Sequence, residues 1–304
     1  MSIGYQSTVP AAADSPAGMQ VLYADRNDPY VVSYLHDIPY VQRSGQTLRM
    51  QLLVPGLSPW PVGTAFPLVV YVQGSGWRKQ DCHKHLPQLS EIARRGYVVA
   101  SVEYRGSDIA IAPAFVQDVK TAIRFLRKNA GEYHIDTARI AVWGCSSGGQ
   151  AACLVGLTDG IAAFDTEDYA EYPSTVNAVI DFYGVTDISR INEAPRHPHV
   201  AAMHPKETSE AMVLGGTADE KQELAQLINP IAYISEDKAA PPFLILHGDE
   251  DEVVPFRQSV LLYEALRQNR KQAALYKVQG AMHGVCFWTK PVLNVVANFL
   301  AAYN

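Results

Sequence analysis

Cysteine is scarce in this chain. The four present in 304 residues, Cys82, Cys145, Cys153 and Cys286, show no CxxC spacing. That argues against a disulfide framework and against a structural zinc site. Charge is thin as well: 18% of residues are Asp, Glu, Lys or Arg, against ~25% in ordinary soluble domains. The balance of 25 basic and 31 acidic residues leaves a net charge of −6. Clustered Lys and Arg that would neutralise phosphates are missing, so no nucleic-acid partner is expected. No polybasic stretch reads as a membrane anchor. No Lys or Arg precedes Arg26 and no sustained apolar stretch follows the first Met, so a secretory signal is not expected. The uncharged run Ile140 to Thr158 is broken by Gly144, Ser146, Gly148 and Gly149, which excludes a membrane-spanning helix there. These absences read together as a soluble cytoplasmic protein with reduced thiols. With 48% hydrophobic residues over this length, the chain can bury one large core or two small ones and is not disordered.

What is present is an alternation of strands and helices. Asp37–Val54 reads as a hairpin around Ser44-Gly45. Buried strands are expected at Pro67–Val72, Tyr97–Val102, Arg139–Trp143, Val176–Tyr183, Phe243–His247 and Ala273–Val278, from short β-branched apolar runs. Helical spacing marks Ala114–Asn129, the Ala-rich segment to Leu157, Phe256–Gln268 and Pro291–Ala302. The alternation predicts an α/β fold, a mostly parallel central sheet with helices on both faces. Residues 1–36 read as an N-terminal arm, and 37–304 as one domain. Within it, Asp187–Lys238 breaks the alternation and reads as a lid-like insertion over the sheet's C-terminal edge.

The sharpest chemical signal is Gly144-Cys145-Ser146-Ser147-Gly148, a G-x-S-x-G between a strand and a helix. A serine hydroxyl is a weak nucleophile and needs exposure, a base and a site for the developing anion. A strand–turn–helix elbow supplies the exposure, and the helix N-terminus supplies amide donors. His283, after the last strand, is the candidate general base. The acids Asp249, Glu250, Asp251 and Glu252 follow the strand Phe243–Leu246. Asp251 is favoured to orient the imidazole, because Asp249 sits in the tight turn where it would cap local amides. The loop Gln73-Gly74-Ser75-Gly76-Trp77 follows another strand, and its small residues can turn backbone N–H groups toward an oxyanion, alongside the Ser147 amide. Cys82-His83-Lys84-His85 and His197, His199 and His204 lack the partners of usual zinc sites, so no metal is expected.

These motifs resemble the α/β-hydrolase superfamily, in its esterase/lipase branch near acetyl- and feruloyl-esterases and the prolyl-oligopeptidase-like catalytic domain. The resemblance runs from about Asp37 to the C-terminus. It includes the order Ser146…Asp251…His283, Glu103-Tyr104-Arg105 after a strand, and Tyr71–Trp77 as a variant of a Y-x-H-G-G-G-W loop. Gln73 stands in place of the usual His and Ser75 in place of the middle Gly. The resemblance implies oxyanion donors at Gly74, Ser75 and Ser147, and Trp77 either as a wall of the acyl pocket or as core. It implies a cofactor-free serine hydrolase for small carboxylic esters: short-acyl or aryl, with carbohydrate acetyl or hydroxycinnamoyl esters among them. A small peptidase or amidase, a thioesterase or an arylformamidase would fit the same triad. A non-catalytic binding protein on a hydrolase scaffold is the reading from another class.

Overall fold

Short apolar runs form the centre of the sheet in the computed structural model, which describes residues 18–20, 22, 28, 31–56 and 59–303. Its strands are β1 (Val32–Arg43), β2 (Gln46–Pro55), β3 (Phe66–Val72), β4 (Val98–Val102), β5 (Ile135–Cys145), β6 (Ala178–Phe182), β7 (Phe243–Gly248) and β8 (Ala273–Val278). Their spatial order is β1-β2-β4-β3-β5-β6-β7-β8. β2 pairs antiparallel with β1 and β4, and every later pairing is parallel. Every residue of β4 and β6 is buried. That follows from covering a parallel sheet on both faces, which turns its strands into continuous apolar runs.

The two faces separate by residue parity. Leu68, Val70 and Val72 of β3, with Ile140 and Val142 of β5, point to one layer. There they meet α2 (Ala114–Lys128), α3 (Ser147–Leu157) and α7 (Arg257–Gln268). Val69, Tyr71, Ala141 and Trp143 point to the other, against α1 (Leu86–Ala93) and α8 (Lys290–Tyr303). Each such fully buried Val, Leu or Ile contributes roughly 1.5–3 kcal/mol, so the two apolar layers dominate what holds the sheet. α2 buries Phe115, Val119, Ala122, Ile123 and Leu126 along one stripe. α3 is buried almost all round, as befits the helix that carries the elbow under the sheet edge.

The arm expected over residues 1–36 lies mostly outside the described residues, and its last residues, Val32 to His36, belong to β1. The strand continues past the expected start because a bulge absorbs the polar pair His36-Asp37. The register slips between Leu35 and Ile38, and Asp37 has φ +54°. Between β6 and β7 the chain runs through short helical turns, with α4 (Pro198–Ala201), α5 (Ser209–Leu214) and α6 (Gln222–Leu227) the α-helical ones. Asp187 caps the first turn and Thr208 caps α5, while Gly215 at φ +68° ends α5. One helix escaped the sequence reading. α1 is short and carries Pro87 in its first turn, so it leaves little periodic signal.

Candidate active site

β5 ends at Cys145, Ser146 takes φ +54° and ψ −126°, and α3 begins at Ser147. That strained turn needs glycine two positions to either side, at Gly144 and Gly148. A Cβ on Gly144 would lie 1.9 Å from the Gly148 carbonyl oxygen, and one on Gly148 would lie 2.1 Å from that of Val72. The Ser146 N–H donates to the Phe182 carbonyl at 2.8 Å, which ties the elbow to the end of β6.

Three side chains from distant segments meet at this elbow. His283, in the loop between β8 and α8, places Nε2 3.0 Å from Ser146 Oγ. Its Nδ1 lies 2.7 Å from Asp251 Oδ2. Asp251 Oδ1 accepts the N–H groups of Val253 and Val254, each at 2.9 Å. Burial by itself would raise the Asp251 pKa. Hydrogen bonds from His247 and His283 outweigh it and hold the carboxyl well below the usual carboxylate range. Asp249 is turned elsewhere and accepts the Gly280 N–H at 2.7 Å. The Tyr183 ring packs edge-on against His283, with centroids 4.8 Å apart. Its hydroxyl accepts from Trp288 Nε1 at 3.1 Å, so the imidazole rests on a fixed aromatic wall.

The three amides named for the oxyanion are not equivalent, because two of them already have acceptors. The Gly74 N–H donates to Cys145 Sγ at 3.2 Å, and the Ser75 N–H donates to Ser147 Oγ at 3.0 Å. Both are engaged by side chains that reach back from the elbow, a contact that no sequence spacing reveals. The Ser147 N–H, at the start of α3, has no protein acceptor among the described residues. Tyr104 braces the loop from behind. Its hydroxyl lies 3.2 Å from Ser147 Oγ and 3.1 Å from Ser75 Oγ. Gln73 Oε1 is buried without a partner among the described residues. Trp77 belongs both to the core and to the lining of the pocket. It is buried, with its indole Nε1 donating to Gln150 Oε1 at 2.9 Å.

A cavity of about 580 Å³ opens over Ser146 and His283. One wall comes from the segment between β6 and β7: Arg196, Val200, Met203, Ser209 and Glu210. Arg196 Nη2 donates to Glu210 Oε1 at 2.8 Å and its Nε to the Val253 carbonyl at 3.0 Å. The pair therefore clamps that segment to the loop carrying Asp251. Neither residue had a signal in the sequence: Arg196 lies between Pro195 and Pro198, and Glu210 in the short α5. His85, on the opposite side, lies 2.7 Å from the Tyr71 hydroxyl and stacks on Trp288. Burial, with help from Lys84, lowers its pKa to about 4, so it is neutral at pH 7. Behind β4, Asp118 is fully buried between Arg43 and Arg105 and accepts the Arg105 N–H at 2.9 Å, which fixes the Glu103-Tyr104-Arg105 turn under the loop.

A mostly parallel eight-stranded sheet in this order, with a nucleophile-type elbow after β5, is the α/β-hydrolase fold. A family model, BD-FAE, matches residues 58–266, and the chain belongs to that family. Esterase LipC of Mycobacterium tuberculosis is 32% identical over 244 residues, 77% of this chain and 58% of the relative. The probable carboxylic ester hydrolase LipM of the same organism is 31% identical over 218 residues, 70% of this chain and 48% of the relative. The chain thus spans about half the length of the curated relatives it matches. Among solved structures, a truncated form of a carbohydrate esterase from gut microbiota superposes with a TM-score of 0.79 at 28% identity, covering 90% of this chain and 97% of that one. The bifunctional GH43-CE protein of Bacteroides eggerthii gives a TM-score of 0.77 at 29% identity, covering 88% of this chain and 38% of that one.

Proposed function

We propose that the protein is a serine esterase that cleaves small carboxylic esters through an acyl-enzyme. The observation that carries this reading is the unbroken contact chain Ser146 Oγ–His283–Asp251, with steps of 3.0 and 2.7 Å. Such a chain does a specific job. His283 takes the Ser146 proton as Oγ attacks the ester carbonyl, and Asp251, held anionic, stabilises the imidazolium that forms. The same proton then goes to the leaving alcohol. Water, deprotonated by His283, releases the acid and restores the serine. The tetrahedral oxyanion is assigned first to the Ser147 N–H. The Gly74 amide joins it on substrate binding, since sulfur is a weak acceptor and releases a donor readily. Removing one such donor costs typically ~10²–10³ in turnover.

The pocket has an apolar part and a polar part. Val200, Met203, Val253 and Val285 line the one, and Arg196, Glu210, Ser209 and Lys84 border the other. A short acyl group, with the hydroxyl-rich alcohol of a sugar outside it, fits that lining. The names carried by the relatives, esterase and carbohydrate esterase, point the same way. Kinetics on p-nitrophenyl esters of two to eight carbons, beside a thioester and an aminoacyl anilide, test the reading. A maximum at acetate or propionate, lost in Ser146→Ala and His283→Ala, is expected. Full activity in Ser146→Ala, or a preference for the anilide, refutes it.

A further inference from the structure

A second histidine, His247, stands behind the candidate acid, and neither the triad nor the fold comparison calls for it. It lies on β7, four positions before Asp251, with no exposed surface. Its Nε2 lies 2.8 Å from the Val254 carbonyl oxygen and 3.3 Å from Asp251 Oδ2. Its Nδ1 lies 2.7 Å from Ser259 Oγ on α7. A carbonyl can only accept, so Nε2 carries the proton, and the Ser259 hydroxyl is left to donate to Nδ1. The edge-on rings of Phe256 and Tyr183 flank it, with centroids 5.5 and 6.2 Å away.

We propose that His247 is a positioning residue for the esterase reaction: its Nε2–H holds the loop that presents Asp251 and stabilises that carboxylate as an anion. The proposal rests on the triad reading above. Two effects meet in one N–H. By holding the Val254 carbonyl, it fixes the turn whose Val253 and Val254 amides donate to Asp251 Oδ1. By lying beside Oδ2, it puts a second positive edge against the oxygen that His283 uses. A carboxylate taken this far out of water needs such donors to stay charged. With His283, the two amides and His247, both oxygens of Asp251 are satisfied from opposite sides. The titratable groups facing this carboxylate are His247, His283 and the Tyr183 phenol.

The test is the pH profile of kcat/KM on p-nitrophenyl acetate for the intact chain and three variants. His247→Leu keeps the bulk and removes the donor. His247→Gln puts an amide N–H where Nε2 was, and His247→Asn puts one only where Nδ1 was. Losing a donor to the unprotonated Asp251–His283 pair makes the pair bind its first proton more tightly, so the acidic limb moves to higher pH. The expected result is a fall of roughly tenfold or more in kcat/KM for His247→Leu. Its acidic limb rises by about half to one pH unit, and His247→Gln recovers most of both. If the Leu variant does not fold, Asn takes its place, with Gln still expected to exceed it. An acidic limb unmoved in Leu or Asn, or a Gln variant as impaired as either, overturns the proposal. Ser146→Ala is measured alongside. Activity that depends on Ser146 while the limb stays put overturns the role of His247 alone, whereas activity surviving in Ser146→Ala overturns the esterase reading and this one with it.

Discussion

The Ser75 amide donates to the Ser147 hydroxyl at 3.0 Å, so the loop after β3 is tied to the residue that follows the candidate nucleophile. Tyr104 locks the pair by placing its own hydroxyl within 3.2 Å of both side chains. The loop is thereby fixed against the start of α3 before substrate arrives, and a donor held in place there lowers a barrier at little reorganisation cost. Tyr104→Phe removes the lock and leaves every reacting atom in place. It is expected to lower kcat several-fold, about 1 kcal/mol, with KM for p-nitrophenyl acetate nearly unchanged. A matching rise in KM with kcat intact would show that the hydroxyl serves binding instead.

Ser146 pays for its position in backbone strain. A non-glycine residue at φ +54° and ψ −126° costs on the order of 1–3 kcal/mol. Glycine adopts that conformation freely, though it regains up to ~1 kcal/mol of unfolded-chain entropy. Ser146→Gly is therefore expected to be inactive yet more thermostable than Ser146→Ala, by about 2 °C in Tm. Differential scanning calorimetry of the two inactive variants decides it. An alanine variant at least as stable contradicts the strain.

Asp181, on β6 beside the elbow, is fully buried with Oδ1 accepting the Gly184 N–H at 2.9 Å and Oδ2 without a partner among the described residues. Burial pushes its pKa up to about 7, against the smaller opposing effects of the Gly184 N–H and the Cys153 thiol. The unfolded carboxyl ionises near ~4. Between those values the native state holds a proton that the unfolded state has lost, so this group makes stability fall as pH rises from about 4 to 7. Asp181→Asn cannot titrate. Its Tm relative to the parent chain is expected to climb from pH 4 to pH 7 and then level off. A difference that stays constant across that range contradicts the raised pKa.

Arg196 and Glu210 are nearly buried, with side-chain exposures of 7% and 11%. Taking away one partner strands the other charge, which for buried pairs costs ~3–5 kcal/mol. Arg196→Met is expected to lower Tm by several degrees and to raise KM, because Val253 and α5 lose their clamp. The double variant Arg196→Met/Glu210→Met should regain most of the Tm and little of the KM. Recovery of both would mean that the pair serves stability alone.

Much of the fold was legible because parallel strands buried on both faces leave runs such as Leu68–Val72 and Phe243–Leu246, which turn signals bound on each side. Ser146 and His283 were legible for a related reason, since a glycine-lined elbow and a histidine after the last strand are positions in the topology as well as residues. Asp251 could be separated from Asp249 by the tight turn between them. The loop after β3 was less legible. Ser147 Oγ and Cys145 Sγ fold back onto its amides, and that depends on rotamers that only packing sets. His247, Arg196 and Glu210 carried no signal at all, because each acts through a partner that the fold alone brings near. The start of β1 was misjudged because a bulge at His36-Asp37 hides the alternation.

The most direct measurement is covalent labelling with a fluorophosphonate probe, read by intact mass and peptide mapping. One adduct per chain is expected, on Ser146, with labelling slowed strongly in His283→Ala and absent in Ser146→Ala. An adduct on another residue, or stoichiometric labelling of Ser146→Ala, would contradict it.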